Sequence, residues 1–371
     1  MGTIIDRGNM TALLEGVKAY STGGGGSPEW GRAIMERDFA AGLRYELIDP
    51  EEVEEDSLTI SGGFLGSVVE AMSVSEVVAG WDRCYEPVEA LRLMEVILHR
   101  KVDYVIPFEM GALNTPAILS LGARAGLRIV DGDAVGRAAP ETQMASFIGY
   151  GVSLTPMPLV DHYGNKMVVM DSAEPTLADE AGRWLVTKFP GMAANAHYPM
   201  SGAKLREAVI PNTVSNALKV GEAIMRARKA GENGFQAFSA ASGARELIVG
   251  KIASMKGEDR GGFYFTMVTV DGTGHYEGHR AEIAIKNETM LLWLDGRLRV
   301  MFPDLICILH PETGEGLMTQ DLATGQSIGV ACLPCHPKLR AVLDTEIGVK
   351  SFGPQRYGYP SLAYRPLEDL T

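Results

Sequence analysis

Acidic side chains are concentrated in one segment of the chain, EMGALNTPAILSLGARAGLRIVDGDAVGRAAPE, which covers residues 109–141. Glu109 follows the apolar run DYVIPF, and Asp131 and Asp133 follow the apolar run LRIV. Neighbouring carboxylates raise each other's pKa, so one can act as a general acid while another acts as a base. Carboxylate oxygens also bind divalent cations, and Asp131 and Asp133 are the candidate metal ligands. The competing interpretation is that these aspartates shape a turn and that Arg137 neutralises them.

A second stretch, YSTGGGGSPEWG at residues 20–31, has the backbone freedom to approach a ligand closely. Phosphate loops lie between a strand and a helix, and a Walker loop ends in Lys-Ser/Thr. Here the preceding residues have a helical pattern and no such lysine follows. Ser27 instead caps a second helix that has Pro28 at its first position. The stretch therefore predicts a helix–turn–helix whose loop amides face an anionic group, with nucleotide phosphate as the weaker alternative.

Short apolar runs alternate with helical patterns over roughly the first 170 residues, which predicts a three-layer α/β domain with a largely parallel sheet. Ligands of open α/β sheets bind outside the carboxyl ends of the strands. We therefore predict Glu109, Asp131 and Asp133 as catalytic residues. The predicted substrate-binding residues are Gly24, Gly25, Gly26, Ser27, Asn114, Thr115, Arg137 and Glu141.

The rest of the chain has a helical sequence pattern first and a strand pattern after it. Residues 171–234 have a helical pattern that Pro211 should interrupt, which predicts a helical connection. Residues 235–371 have short strand patterns, with an Asp-Gly hairpin signal in LDGRL. This part is therefore predicted to be a mainly β, barrel-like domain.

Composition limits the classes of partner. The 371 residues carry a formal net charge of −13 and no run of Lys and Arg, which argues against nucleic acid. A signal peptide is not recognisable and no apolar stretch is long enough for a membrane, so we expect a cytoplasmic protein that does not bind membranes. Four cysteines do not form a disulfide framework in a chain of this size.

Two weaker motifs remain. CLPCH, Cys332 to His336, matches the haem-attachment pattern C-x-x-C-H, but the prolines around it and the lack of an export signal favour an incidental turn over haem, zinc or redox chemistry. Cys335 therefore has no predicted role. His197, in the connection NAHYPMSG, is an alternative candidate for a base.

Several motifs occur in an order that resembles one family, the S-methyl thiohydantoin desulfurases. They are STGGGGSP, PFEMGALNTP, LRIVDGDAVGRAAPETQM, YPMSGAKLREAVIPNTVSNAL, IAIKNE, FPDLICILHPETGE and GVKSFGPQRYGY. The resemblance covers nearly the whole chain, and DGD-x-x-GRA-x-PE-x-QM is its most specific part. It implies an α/β domain followed by a β-barrel-like domain, and hydrolytic removal of a methylthio group from a thiohydantoin ring.

That chemistry needs a base for water, hydrogen bonds to the ring and an anchor for a substrate carboxylate. We assign the base to Asp131 or Asp133, ring orientation to Glu109 and Asn114, and the anchor to Arg137 or the glycine-loop amides. One alternative is a non-catalytic partner subunit of a hydantoinase- or oxoprolinase-type complex. Another is a nucleotide- or metal-dependent enzyme of a different class. The expected ligand is a small molecule, and a homo-oligomer or a hydantoinase-type partner is also expected.

Overall fold

A computed structural model of the chain describes residues 2–66, 78, 80–81, 84–189 and 191–370. The strands in chain order are β1 (Ile4–Ile5), β2 (Tyr45–Ile48), β3 (Leu58–Gly66), β4 (Tyr104–Pro107), β5 (Arg128–Val130), β6 (Gly132–Asp133), β7 (Met157–Asp161), β8 (Lys166–Val169), β9 (Met192–Ser201), β10 (Ile210–Pro211), β11 (Arg245–Arg260), β12 (Phe263–Gly272), β13 (Arg280–Lys286), β14 (Glu288–Leu294), β15 (Arg297–Met301), β16 (Leu305–Leu309) and β17 (Ser327–Leu333).

The helices in chain order are α1 (Met10–Tyr20), α2 (Pro28–Ala40), α3 (Glu86–Leu98), α4 (Asn114–Ala125), α5 (Ser146–Gly149), α6 (Leu177–Lys188), α7 (Gly202–Ala208), α8 (Thr213–Ala230), α9 (Gly234–Ser242), α10 (Pro337–Val342), α11 (Glu346–Phe352) and α12 (Leu367–Leu370). Short 3₁₀ helices cover Pro50–Glu52, Gly274–Tyr276, Thr319–Asp321 and Pro354–Tyr357.

The N-terminal sheet has eight strands in the order β1-β2-β5-β4-β3-β9-β7-β8. Strands β2, β5, β4 and β3 are parallel. Successive residues of β4 point to opposite faces: Val105 packs into one hydrophobic cluster, while Tyr104 and Ile106 pack into another. Helices cover both faces, which confirms the predicted α/β class. The sheet is nevertheless mixed, because β1, β9, β7 and β8 pair antiparallel.

Strand β9 was not expected, because residues 171–234 were predicted to be helical. Its sequence MAANAHYPMS is rich in small and polar residues and lacks the β-branched run that indicates a strand. The structure buries it between β3 and β7. The predicted interruption at Pro211 is confirmed, since α7 ends at Ala208 and α8 begins at Thr213.

The glycine stretch is a helix–turn–helix, as predicted. Helix α1 ends at Tyr20, and α2 begins at Pro28 with Ser27 at its N-cap position. Gly25 and Gly26 have φ angles of 73° and 86°, in the left-handed region that glycine tolerates. This turn brings the start of α2 to the boundary between the two parts of the chain.

The C-terminal sheet is antiparallel, in the order β15-β14-β13-β12-β11-β17-β16, and curls into a half-barrel. The predicted Asp-Gly hairpin is confirmed between β14 and β15, where Asp295 and Gly296 both have positive φ angles. A mainly β C-terminal part is therefore confirmed as well.

Candidate active site

A cavity of about 520 Å³ lies where the glycine loop, the N-terminal sheet and the half-barrel meet. Seven of the predicted site residues line it: Gly24, Gly25, Gly26, Ser27, Glu109, Asn114 and Glu141. Its other polar lining residues include Glu29, Thr142, Asp179, Arg183, Asn195, His197, Tyr264, Asn287, Glu288, Thr319 and Gln320. The glycine loop and one of the predicted catalytic acids therefore share one cavity.

The loop needs glycine because it passes between two acid-bearing segments. A Cβ atom at Gly24 would lie 1.8 Å from Oε1 of Glu288, and one at Gly25 would lie 2.2 Å from Cα of Gly111. The amide of Gly25 donates to Oε1 of Glu288 at 3.3 Å. The carbonyl of Gly25 accepts from the amides of Leu113 and Asn114 at 2.9 and 3.2 Å.

Glu109 is a buried carboxyl group that is held from both sides. Its Oε1 accepts from Nδ2 of Asn114 at 2.8 Å, and its Oε2 accepts from the amide of Ala139 at 2.7 Å. The amide of Phe64 donates to Oδ1 of Asn114 at 2.8 Å, which fixes the orientation of the Asn114 side chain. Burial raises the pKa of Glu109 to about 7, although both hydrogen bonds favour the ionised form.

Thr115 supports this carboxyl group from outside the cavity. Its Oγ1 donates to the carbonyl oxygen of Glu109 at 2.8 Å and accepts from the amide of Gly111 at 3.1 Å. Thr115 is thus placed to hold the backbone that carries Glu109, while Asn114 reaches the cavity itself.

Glu288 is a second buried acid, and the sequence analysis did not single it out. Burial, followed by repulsion from Glu109, raises its pKa to about 8. Its Oε2 is buried without a hydrogen-bond partner among the described residues. The sequence signal that pointed to Glu288 was the motif IAIKNE. In the structure, Asn287 of this motif has a left-handed φ angle of 58°, and Glu288 is the first residue of the buried strand β14.

Two further polar side chains face the cavity from β9. Asn195 and His197 are 2% and 1% exposed. In the described part of the chain, Oδ1 of Asn195 and Nδ1 of His197 have no hydrogen-bond partner. Burial lowers the pKa of His197 to about 3, so its imidazole is neutral at pH 7.

Asp131 and Asp133 lie elsewhere and are absent from the described lining of the cavity. Oδ1 of Asp131 accepts from the amide of Ser215 at 3.0 Å, at the start of α8. Oδ1 of Asp133 accepts from the amides of Val135 and Gly136 at 3.0 and 2.7 Å. The three acids do not all line the cavity, because Oδ1 of each aspartate accepts backbone amides after β5. Oδ2 of Asp133 has no partner among the described residues, and burial, followed by repulsion from the nearby carboxyl groups of Glu109 and Asp131, raises the pKa of Asp133.

Arg137 is fully buried, and it too is missing from the described cavity lining. Its guanidinium donates to the carbonyls of Ala138, Asp304 and Thr289 at 3.0, 2.9 and 2.6 Å, and it lies 4.9 Å from the Phe302 ring centroid. These hydrogen bonds join the N-terminal part to the half-barrel beside Glu288. Arg137 is therefore placed as an interdomain link and not where a substrate carboxylate would be anchored.

Glu141 belongs to a charged cluster at the far wall. Its carboxylate pairs with Lys286 and Arg356. Nearby, Nε of Arg183 donates to Oδ2 of Asp179 at 2.7 Å. The same wall borders a second cavity of about 580 Å³, so Glu141 is shared between two cavities.

The residues present do not form a metal centre in the described ranges, where no group of three or more His, Cys, Asp or Glu side chains is placed to hold an ion. The four thiols are free. His336, in the CLPCH motif, uses Nδ1 to accept from the amide of Lys338 at 3.2 Å and caps α10. No described helix is long and apolar enough to cross a membrane.

The fold and site define a class: a two-part chain, α/β followed by an antiparallel half-barrel, with a cavity that receives a buried glutamate from each part. The comparisons agree with the division into two parts. Residues 8–171 match the model described as the S-Me-THD-like N-terminal domain, and residues 173–367 match the S-Me-THD-like C-terminal domain. The chain belongs to this S-Me-THD-like family, as its motifs indicated.

One solved structure with the same fold is the crystal structure of a protein from Chromobacterium violaceum. The two chains superpose with a TM-score of 0.74 at 21% sequence identity, over 98% of this chain and 100% of that one. At this identity the likeness establishes the fold alone. No curated protein matches the chain.

Proposed function

We propose that the protein binds an S-methyl thiohydantoin-type ring in this cavity and hydrolyses the bond between the ring carbon and the methylthio sulfur. Water attacks the ring carbon that carries the methylthio group, a C–O bond forms and the C–S bond breaks. The products are the hydantoin and methanethiol. The observation that carries the proposal is the pair of buried glutamates, Glu109 and Glu288, on either side of the glycine loop in one cavity.

Glu109 is the proposed general base. A general base works best when its pKa lies near the working pH, and Glu109 has a pKa of about 7. Asn114 and the amide of Ala139 stabilise its ionised form at fixed geometry. Glu109 takes a proton from the attacking water and passes it to the departing methanethiolate. The sequence analysis assigned the base to Asp131 or Asp133 and ring orientation to Glu109. Both aspartates are absent from the described cavity lining, which supports Glu109 as the base instead.

Glu288 is the proposed general acid. Its pKa of about 8 keeps it protonated at pH 7, and its unpartnered Oε2 is buried at the cavity. It protonates the ring nitrogen as the tetrahedral intermediate forms. When the carbonyl forms and the thiolate departs, the hydroxyl proton returns to Glu288. Two buried acids in different hydrogen-bond environments can divide these tasks: Glu109 accepts from Asn114 and Ala139, whereas Oε2 of Glu288 has no partner among the described residues.

Asn195 and His197 supply hydrogen bonds for the ring. Each presents a polar atom that lacks a partner among the described residues, and leaving such an atom unpaired costs about 1–3 kcal/mol. A ring with adjacent N–H and C=O groups would remove that cost. The Ser27 hydroxyl, which makes no capping hydrogen bond, faces the same cavity at the start of α2.

The test is hydrolysis of a synthetic S-methyl thiohydantoin by the purified protein, followed as thiol release and as incorporation of ¹⁸O from labelled water. Glu109→Gln should reduce kcat by about 10²–10⁴, the range for loss of a general base. The matched control is Glu86→Gln, because Glu86 is also a buried carboxyl with a raised pKa but lies outside the described cavity lining.

Wild type and Glu86→Gln should turn over at similar rates. Hydrolysis that survives Glu109→Gln would remove Glu109 as the base. Absence of thiol release by the folded wild-type protein would reject the proposed reaction.

A further inference from the structure

Carboxyl groups outnumber cationic groups in the lining of the cavity. The described lining contains one guanidinium group, that of Arg183, and five carboxyl groups: Glu29, Glu109, Glu141, Asp179 and Glu288. The charge that stays unpaired among these groups is focused inside the cavity. An unpaired carboxylate favours neutral and positively charged ligands over anions in its neighbourhood.

The nearby cations offset the acids at the far wall of the cavity but do not pair with the other lining carboxyl groups. Arg183 is paired with Asp179, and its guanidinium carbon lies 3.7 Å from the Phe263 ring centroid. Lys286 and Arg356 both pair with Glu141. These ion pairs place three cations on Glu141 and Asp179, and Glu288, whose pKa is about 8, is protonated at pH 7. Glu29 and the partly ionised Glu109 therefore carry the unpaired negative charge of the described lining.

Glu29 differs from Glu109 and Glu288 because its side chain is exposed. It lies in the first turn of α2, and no ion pair to it is found in the described part of the chain. The α2 dipole favours an anion at this end, but Glu29 itself supplies that negative charge. An exposed lining residue marks where the cavity opens, so Glu29 stands at the mouth.

Three buried lining residues point independently to a ligand. Oε2 of Glu288, Oδ1 of Asn195 and Nδ1 of His197 are buried, and none has a partner among the described residues. A polar ring fits these atoms. The substituent on such a ring then extends toward the mouth and Glu29.

We infer that the site selects a ring whose substituent is neutral or cationic, and that Glu29 is a specificity-determining residue that disfavours a carboxylate there. This inference rests on the proposed function and replaces the expectation of a carboxylate anchor. It assigns no role to Glu29 in the chemical step.

The experiment compares three S-methyl thiohydantoins whose ring substituents are carboxyethyl, carbamoylethyl and aminopropyl. For the wild-type protein, kcat/KM should rise in that order, by about tenfold from the first to the last, as expected for two partly exposed charges several ångströms apart. Glu29→Lys should lower this ratio by about tenfold or more. Added salt should also lower it, because exposed charges are screened.

The control is Glu36→Lys, an identical charge change at another exposed position of α2 that lies outside the described lining. It should keep the wild-type ratio. An equal ratio in wild type, Glu29→Lys and Glu36→Lys would overturn the inference while leaving the hydrolysis intact.

Binding of the three corresponding hydantoins, measured by calorimetry, separates the two proposals. If no thioether is hydrolysed but the hydantoins bind in the same charge order, and Glu29→Lys reverses it, the charge selection holds and the reaction fails. If binding ignores charge, the selection fails as well.

Discussion

The glycine-loop cavity and the turn after β5 both contain buried carboxyl groups with raised pKa values, yet the two regions are built differently. In the turn, Asp131 accepts the Ser215 amide and Asp133 accepts two amides of its own turn. In the cavity, Glu109 and Glu288 border about 520 Å³ of space. Burial raises the pKa of the acids in both regions. Open space beside the acid is what distinguishes the candidate site from the turn after β5, whose acids serve as scaffold by holding backbone amides.

The largest expected effect on stability tests whether the segment after β5 is scaffold, and it concerns Arg137. Arg137→Met should lower the free energy of unfolding by about 3–4 kcal/mol, because three buried carbonyls lose a charged donor at the interdomain boundary. Urea denaturation measures the loss. Arg226→Met, at a largely exposed ion pair, is the control and should change stability little. Unchanged stability in Arg137→Met would mean that this region is not a scaffold.

A smaller effect should appear in the pH dependence of stability. Glu109 and Glu288 have folded pKa values of about 7 and 8, above their ordinary 4.5, so the folded chain binds protons more tightly than the unfolded chain. Their contribution to stability is therefore present at low pH and is lost as pH rises from about 4.5 through 8. The double variant Glu109→Gln, Glu288→Gln should be more stable than wild type at pH 9, by about 2 kcal/mol.

Thermal unfolding at pH 5 and pH 9 tests this expectation. The extra stability of the double variant over wild type should be smaller at pH 5 than at pH 9, because both glutamates are already protonated in the folded wild-type chain at pH 5. A double variant that is less stable than wild type at pH 9 would show that the cavity carboxylates serve as scaffold, and the comparison would fail.

The smallest effect is expected at Asp131. Asp131→Ala should cost about 1 kcal/mol, the usual range for loss of a helix cap, because the Ser215 amide at the start of α8 loses its acceptor. Turnover per folded molecule should stay within about twofold of wild type, since Asp131 touches neither proposed proton-transfer group. A drop of a hundredfold in folded protein would restore the sequence-based assignment of this aspartate to catalysis.

Local patterns predicted the parts of the fold that depend on local chemistry. The turn between α1 and α2, the break at Pro211 and the hairpin at Asp295 each follow from backbone restrictions of a few residues. Strand β9 was not predicted because its residues are small and polar. Its burial depends on pairing with β3 and β7, which are separate segments of the sequence.

Residues that line one side of the cavity were predictable from the sequence. The rule about strand ends located Glu109 and Asn114, and the glycine run located the loop. The same rule also selected Asp131, Asp133 and Arg137, since sequence order does not say whether a turn after a strand faces open space or backbone. Glu288 lies 263 residues from Gly25, and their hydrogen bond depends on how the two parts of the chain dock.

The docking contact made by Arg137 also has a consequence for inheritance. Its guanidinium holds the carbonyl of Thr289, the residue next to Glu288, while the amide of Ala139, two residues after Arg137, holds Glu109. One short segment thus sets the spacing between acids encoded in different halves of the gene. We therefore expect that a chimaera of one half with a diverged counterpart would carry both glutamates but hold them in alignment only if the Arg137–Thr289 contact is kept.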